Sequence, residues 1–368
     1  MYPLWMRVGV FRNNYLKFCG ALDKDKVARN FNHLMLQGKV HSALRHLSCH
    51  SSGGVLNLDA QVPERSPDGG TVMKSVRKVL LDKHPQGKPP DPSTLMDAPP
   101  GMVNPILFDG LDADAICSAS LHTTGAAGPS GLDAIAWHRL CCSFKSASAN
   151  LCTSLAAVGH RICTEAVHPD GLSAFVACHL IPLDKQPSVH PIGIGEVPWR
   201  IIAKAVLRLV DLDIQTACGA LQVCAGYEGG CEAAVHAMRQ LFQDLGCQAA
   251  LLVDASNALN SVNRQAALHN ILRLCPSLAQ ILINTYQSPV RLVIPGSGGL
   301  VSTEGTTQGD PLAMAMYALA VIPLIRQLHS SVTAMSQVWY ADYATGVGTC
   351  TSLRKWWDKL SQLGTLFG

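Results

Sequence analysis

Charge is scarce in this 368-residue chain. Lys, Arg, Asp and Glu make up 15% of it, well under the roughly 25% usual for soluble domains. With 48% apolar residues, that composition excludes a disordered chain, which needs low hydrophobicity and high net charge. None of the 14 cysteines forms a Cys-x-x-Cys pair, and a disulfide scaffold is not expected in so long and apolar a chain. Reduced thiols buried as small apolar side chains are the expectation. A long apolar run is missing too. The longest uncharged one, residues 311–325, falls short of the roughly 20 residues that cross a bilayer, and Pro323 interrupts it. The first residues, MYPLWMRVGVFRNN, lack the continuous apolar stretch of a signal peptide. The expectation is an intracellular protein, of nucleus or cytoplasm, with no membrane span.

Net charge is only +3, but it is unevenly spread: residues 1–100 hold 14 Lys and Arg against 8 Asp and Glu, and residues 101–368 hold 15 against 18. Residues 11–50 read as helical, with Phe31, Leu34, Met35, Leu44 and Leu47 at three- and four-residue spacings. Residues 51–70 read as loop and 71–83 as a short basic helix. Seven prolines within 84–105 mark a stiff connector. The division expected is a basic helical N-terminal extension over 1–83, a Pro-rich linker over 84–105, and a mixed α/β body. In that body, 136–163, 198–215, 231–245, 264–275 and 311–328 read as helices. Residues 175–183 and 190–195 read as strands joined by a turn at 185–188. The run CQAALLVDA (247–255) is continuously apolar and ends in Asp, the pattern of a buried strand. QVWYADYATGVG (337–348) reads as a hairpin with Asp342 at its turn, and LRKWWDKLSQL as a final helix.

Three separated motifs carry chemistry. LLVDASNALNSVNR places Asp254 at a strand end. STEGTTQGDPLAMAMYALA opens a helix with Gln308, Gly309, Asp310 and Pro311. WYADYATG sets Asp342 on a turn. This is the logic of two-metal phosphoryl transfer, in which two Mg²⁺ ions roughly 3.5–4 Å apart clamp the attacking and leaving oxygens. Mg²⁺ takes hard oxygen ligands, so carboxylates must converge from different strands. Asp254 and Asp342 do so if the strand and the hairpin are neighbours in one sheet. Gly309, having no Cβ, lets backbone approach a nucleotide closely.

In this order the motifs resemble the palm motifs of reverse transcriptases, in particular those of non-LTR retroelements. GAAGPSGLDAIAW (125–137) is similar to the block that opens their fingers region. LIPLDKQPSVHPIGIGEVPWRIIAKAV (180–206) is similar to their fingers motif, which has a Lys on one strand and Arg-Pro-Ile on the next. FNHLMLQGKVHSALRHLS (31–48) resembles their helical lead-in. The resemblance runs from about residue 30 to the last residue. It implies an α/β (α+β) right-hand polymerase, with fingers and a fingers–palm connection over 106–246 and a palm over 247–368. No thumb is expected, since 26 residues follow Asp342.

The function implied is that of an RNA-directed DNA polymerase, a nucleotidyltransferase. It would take an RNA template, a DNA primer, dNTPs and two Mg²⁺ ions, with Mn²⁺ as a substitute, and it names no protein partner. Asp254 and Asp342 match the catalytic, metal-holding carboxylates. Ala255 matches the residue whose backbone carbonyl helps to hold the metal. Lys185, His190, Ala255, Leu259, Gln308 and Gly309 match nucleotide-binding positions. Arg200, Lys204 and Arg208 share a helix face and would track template phosphates, with Arg264 as a further nucleic-acid contact.

The sequence departs from that family pattern at three positions. Tyr343 stands where the family has the second Asp of its box. A phenol, with a pKa of about 10, is neutral at pH 7 and a poor Mg²⁺ ligand. Leu259 stands where the family has an aromatic gate against the ribose 2′-OH. His190 replaces an Arg and lacks its bidentate phosphate fork. Three functions follow: an impaired polymerase, a catalytically dead nucleic-acid-binding remnant, and a non-functional fragment. Two His/Cys groupings, His41 with His46, Cys49 and His50, and Cys218 with Cys224, Cys231 and His236, fit no standard zinc spacing. They read as surface histidines and buried thiols. Of Trp356 and Trp357, neighbours on a helix, at least one is expected in the core.

Overall fold

The chain is a mixed α/β protein, 53% helix and 17% strand, with its strands in several small sheets. The computed structural model describes residues 24–38, 40, 43, 54–65, 70–185, 188–243, 246–294 and 298–368. The chain divides into a smaller unit, Met1–Val76 with Pro182–His190, and a larger one, Arg77–Ile181 with Pro191–Gly368. No helix among the described residues is long and apolar enough to cross a membrane.

In the smaller unit, helix α1 (Lys24–Leu36) is followed by the antiparallel strands β1 (Gln61–Arg65) and β2 (Thr71–Ser75), in register from Gln61 opposite Ser75 to Arg65 opposite Thr71. Both depart from the sequence reading. Residues 61–65 were expected as loop, and 71–83 as helix throughout; the helix α2 (Val76–Asp82) begins only after the strand. The tips of two longer strands, β3 (Cys178–Lys185) and β4 (Ser188–Gly195), complete this unit, with the Ser188 hydroxyl donating to Glu64 at 2.8 Å. The expected turn at 185–188 and the histidines and cysteine at 41–50 fall largely outside the described residues.

In the larger unit, helix α3 (Ala113–Leu121) precedes α4 (Ala134–Cys142) and α5 (Ser146–Thr164). The single helix expected over 136–163 is therefore two, broken where Lys145 takes φ 50°. The expected 198–215 helix also divides, into α6 (Val197–Leu209) and α7 (Asp211–Cys218), at the non-helical Val210. Then follow α8 (Gly230–Phe242), strand β5 (Ala249–Asp254), α9 (Ala258–Ser261), α10 (Arg264–Leu274) and α11 (Pro276–Tyr286). The hairpin β6 (Val290–Val293) and β7 (Gly299–Ser302) joins the inner ends of β3 and β4 in the order β4-β3-β6-β7, with β3 parallel to β6. Helices α12 (Ala313–Ala320) and α13 (Ile322–Ser331) replace the one helix expected over 311–328. Pro323 explains the break, because it has no N–H to continue the ladder and is tolerated only in a first turn. The chain finishes with β8 (Met335–Tyr340), β9 (Tyr343–Gly348) and α14 (Cys350–Phe367).

The core gathers on α12, where seven of eight residues are buried, and on the face of α14 that packs under the β8–β9 hairpin. Trp356 is fully buried there, while Trp357 is exposed. Truncating so large a buried side chain costs about 3–5 kcal/mol. Gly346 lies close under this packing: a Cβ there would sit 2.8 Å from the Met335 methyl and 3.2 Å from Leu353, and the Met335 side chain would have to shift. The Pro-rich residues 84–105 lie along α10. Asn270 bonds Met96 N–H and the Thr94 carbonyl, and Arg273 donates to the Ala98 carbonyl at 2.6 Å. Among the described cysteines, Cys141, Cys152, Cys163, Cys178, Cys218 and Cys275 are buried, but Cys231 and Cys350 are exposed.

Candidate carboxylate site

Three strands form one antiparallel sheet in the order β5-β9-β8. Asp254, the last residue of β5, stands opposite Tyr343, the first of β9, and Tyr343 also stands opposite Tyr340 of β8. Two residues, Ala341 and Asp342, therefore make the whole turn. The Ala255 N–H donates to the Asp342 carbonyl at 3.2 Å, tying the end of β5 to that turn. The two carboxylate residues, 88 positions apart in the chain, thus lie on adjacent strand ends of one sheet. β5 is not the fully buried strand its apolar run predicted. It is an edge strand whose residues alternate, and Leu252 is 75% exposed on the face that carries Asp254.

Tyr343 is 52% exposed. Its pKa is raised, first by the negative charge of Asp254, then by partial burial and by Asp342. The phenol stays neutral at pH 7 and adds no third charge. Among the described residues no group of three or more His, Cys, Asp or Glu side chains is arranged to hold a metal ion. Mg²⁺ commonly takes only one or two carboxylates from a protein and fills its remaining positions with water and substrate phosphate oxygens. Asp342 also lines a cavity of about 290 Å³, together with Val253, Ala255, Tyr317, Trp339 and Trp357 among others. Burial, followed by the charge of Asp342, pushes the Tyr317 phenol far up.

The turn is strained. Ala341 takes φ 55°, a left-handed conformation that costs a residue with a Cβ about 1 kcal/mol. Sequence reasoning missed what holds it. Gln222, fully buried, accepts from the Ala341 N–H at 3.0 Å and donates to the Ala341 carbonyl at 3.2 Å. A buried Gln carries no such information in the sequence, since its partner is 119 residues away.

The second motif is brought to the first through backbone contact. The Thr306 N–H donates to the Leu259 carbonyl at 2.6 Å and Gly305 N–H to the Val262 carbonyl at 2.9 Å. Gly305 takes φ 60°, and a Cβ there would run into the backbone of Leu259 and Asn260. Leu259 itself is half-buried on α9. Gly309 takes φ 103°, and its missing Cβ makes room for the Gly193 carbonyl of β4. The Gly193 N–H in turn donates to the Gln308 carbonyl at 2.6 Å. The neighbouring strand by itself already demands a glycine here. The Gln308 side-chain oxygen is buried and has no hydrogen-bond partner among the described residues. Asp310 accepts from Trp199 Nε1 at 2.9 Å and from the Leu312 N–H at 2.7 Å. Burial raises its pKa to about 6.

The expected nucleic-acid cations have internal partners. Arg200 is 9% exposed and donates to the carbonyls of Thr124 and Ala126 at 3.1 and 2.6 Å. Lys204 donates to the His122 carbonyl at 3.0 Å, and Arg208 to the Ser118 hydroxyl at 2.9 Å. The shared face of α6 thus meets the C-terminal end of α3, where a helix favours positive charge. Arg264 is 4% exposed. It donates to the carbonyls of Gly305, Ser302 and Glu304 and to the Ser302 hydroxyl, all at 2.7–3.0 Å, with its guanidinium 5.3 Å from the Tyr286 ring centre. Burial brings its pKa down to about 10. Lys185, exposed at the end of β3, and His190, half-buried on β4, belong to the smaller unit. No protein-family model matches this sequence, and no curated protein matches it significantly.

Proposed function

We propose that Asp254 and Asp342 are the acidic centre of a reverse-transcriptase-like site, built for RNA-templated DNA synthesis and weakened by Tyr343, Leu259 and His190. The observation that supports this most is the strand register. It sets Tyr343 directly beside Asp254 and puts Asp342 on the adjoining turn. That is where a nucleotidyl-transfer centre needs acidic side chains from separate strands to converge.

On this reading Asp254, Asp342 and the Ala255 carbonyl would hold Mg²⁺ or Mn²⁺, which when bound would supply positive charge to the triphosphate and acidify the primer 3′-hydroxyl. Asp254 and Asp342 also orient what they hold, because the sheet ladder and the Ala255 bond fix their backbone. Tyr343 contributes a phenolic oxygen without charge, and turnover falls accordingly. The alternative, nucleic-acid binding without turnover, draws on the same missing charge. It is weakened by Arg200 and Arg264, which are already engaged with internal carbonyls.

Primer extension on an RNA template with dNTPs and Mg²⁺ tests the reading. Three proteins are compared: the chain itself, Tyr343→Asp, and Tyr343→Asp with Asp254→Asn. Restoring the carboxylate is expected to raise extension by about 100-fold, the scale of one electrostatic catalytic group, and Asp254→Asn to abolish the gain. Equal, undetectable extension by all three would favour the binding-only reading, which salt-dependent RNA affinity then checks.

A further inference from the structure

We infer that Gln222 is the positioning residue of the carboxylate site: by gripping both backbone groups of Ala341 it holds the turn in the conformation that places Asp342 beside Asp254. The role of Asp342 as a metal-holding carboxylate rests on the function proposed above; the grip itself does not. A two-residue hairpin turn with positive φ at its first position matches the twist of its strands, and ordinarily has glycine there. This chain has Ala341, whose Cβ resists that conformation. Left alone, the turn would relax, and the next residue, Asp342, would swing with it.

Gln222 prevents this from a fixed mount. It is fully buried and pairs in parallel fashion with Trp339, and the following Val223 N–H donates to the Trp339 carbonyl at 3.0 Å. The side chain therefore springs from a segment stitched to β8 itself, two residues before the turn. Its amide matches Ala341 group for group, oxygen to N–H at 3.0 Å and nitrogen to carbonyl at 3.2 Å. No hydrocarbon side chain of that size makes either bond, and asparagine, one methylene shorter, does not span both. The consequence shows on the far side of the turn, where the Asp342 carbonyl accepts from Ala255 at 3.2 Å. Both of these Gln222 bonds go to Ala341, so the neighbouring Ala255–Asp342 bond reports whether the grip is transmitted.

The test uses the full chain and two readouts. The first is hydrogen exchange at the Ala255 amide. The second is Mn²⁺ affinity, followed by the spin-resonance signal of the free ion, in the Tyr343→Asp protein. Gln222→Met is expected to speed Ala255 exchange by about tenfold and to weaken Mn²⁺ binding by a similar factor, the effect of roughly one lost buried hydrogen bond. Gln222→Asn, which keeps a buried amide, is expected to do the same and serves if the Met protein fails to fold. Adding Ala341→Gly to either variant should restore most of both losses, because glycine takes the left-handed turn unaided. Unchanged Ala255 exchange in Gln222→Met, or a loss that Ala341→Gly leaves in place, would overturn the inference and reduce Gln222 to a packing residue. If the Tyr343→Asp protein binds no Mn²⁺, or binds it equally well with Asp254→Asn, the carboxylate reading fails, while Ala255 exchange still decides the role of Gln222.

Discussion

Asp254 and Arg264 sit ten residues apart and meet opposite fates. Asp254 ends an edge strand with its side chain exposed; Arg264 opens a helix and is 4% exposed, with its guanidinium bonded to three carbonyls and a hydroxyl. The same contrast separates the β5–β9 strand ends from the cationic face of α6, whose three side chains each reach a group on or just after α3. A charged group engaged by its own fold cannot grip a ligand without leaving that fold unsatisfied. An exposed carboxylate at a strand end contributes little to stability and is available for binding. Sequence motifs of basic residues mix both kinds; only burial and partners sort them.

The sharpest way to test this division is Arg264→Met. Four acceptors lose the Arg264 bond in a buried setting, with the Glu304 carbonyl keeping the Ser302 hydroxyl as a donor, and stability should fall by about 4 kcal/mol in urea unfolding. A loss under 1 kcal/mol would put Arg264 among the available charges after all. Asp310 offers a pH version of the same test. Its folded pKa of about 6 lies above the roughly 3.9 of an unfolded Asp. The folded state therefore holds the proton more tightly, so this group's stabilising contribution is complete below about pH 4 and is lost as pH rises through 6. The wild type should lose on the order of 2 kcal/mol across that window relative to Asp310→Asn; parallel stability curves would contradict it. The smallest effect compares the two kinds of cation on one helix. Arg200→Met should cost about 1.5 kcal/mol, whereas Arg208→Met, on the exposed part of the same face, should stay within about 0.5 kcal/mol. Equal losses would erase the distinction.

The sequence announced the acidic side of this contrast and concealed the basic side. An apolar run ending in Asp254, and an Asp342 between two runs of alternating residues, both translate directly into strand ends, because strand and turn are local choices. The helical face of Arg200, Lys204 and Arg208 was equally visible as a periodicity. What it faces was not, since its partners lie 74–90 residues earlier. Gly309 shows the same limit: the need for a residue without a Cβ was legible, but the strand that imposes it, β4, becomes its neighbour only through tertiary folding. The β1–β2 hairpin was missed because short polar strands gain most of their stability from each other. Gln222 was missed altogether, as a lone buried amide leaves no pattern.

The pairing of Asp254 with Tyr343 also bears on the sheet itself. Residues directly opposite on antiparallel strands hold their Cβ atoms about 4.5–5.5 Å apart, and like charges placed so repel. A second carboxylate at this position would load the sheet end with mutual repulsion whenever no cation stood between the two. Tyrosine discharges that load. On the function proposed above, the tyrosine that would weaken cation binding is also the residue that relaxes the sheet end, so both effects would arrive in the same side chain.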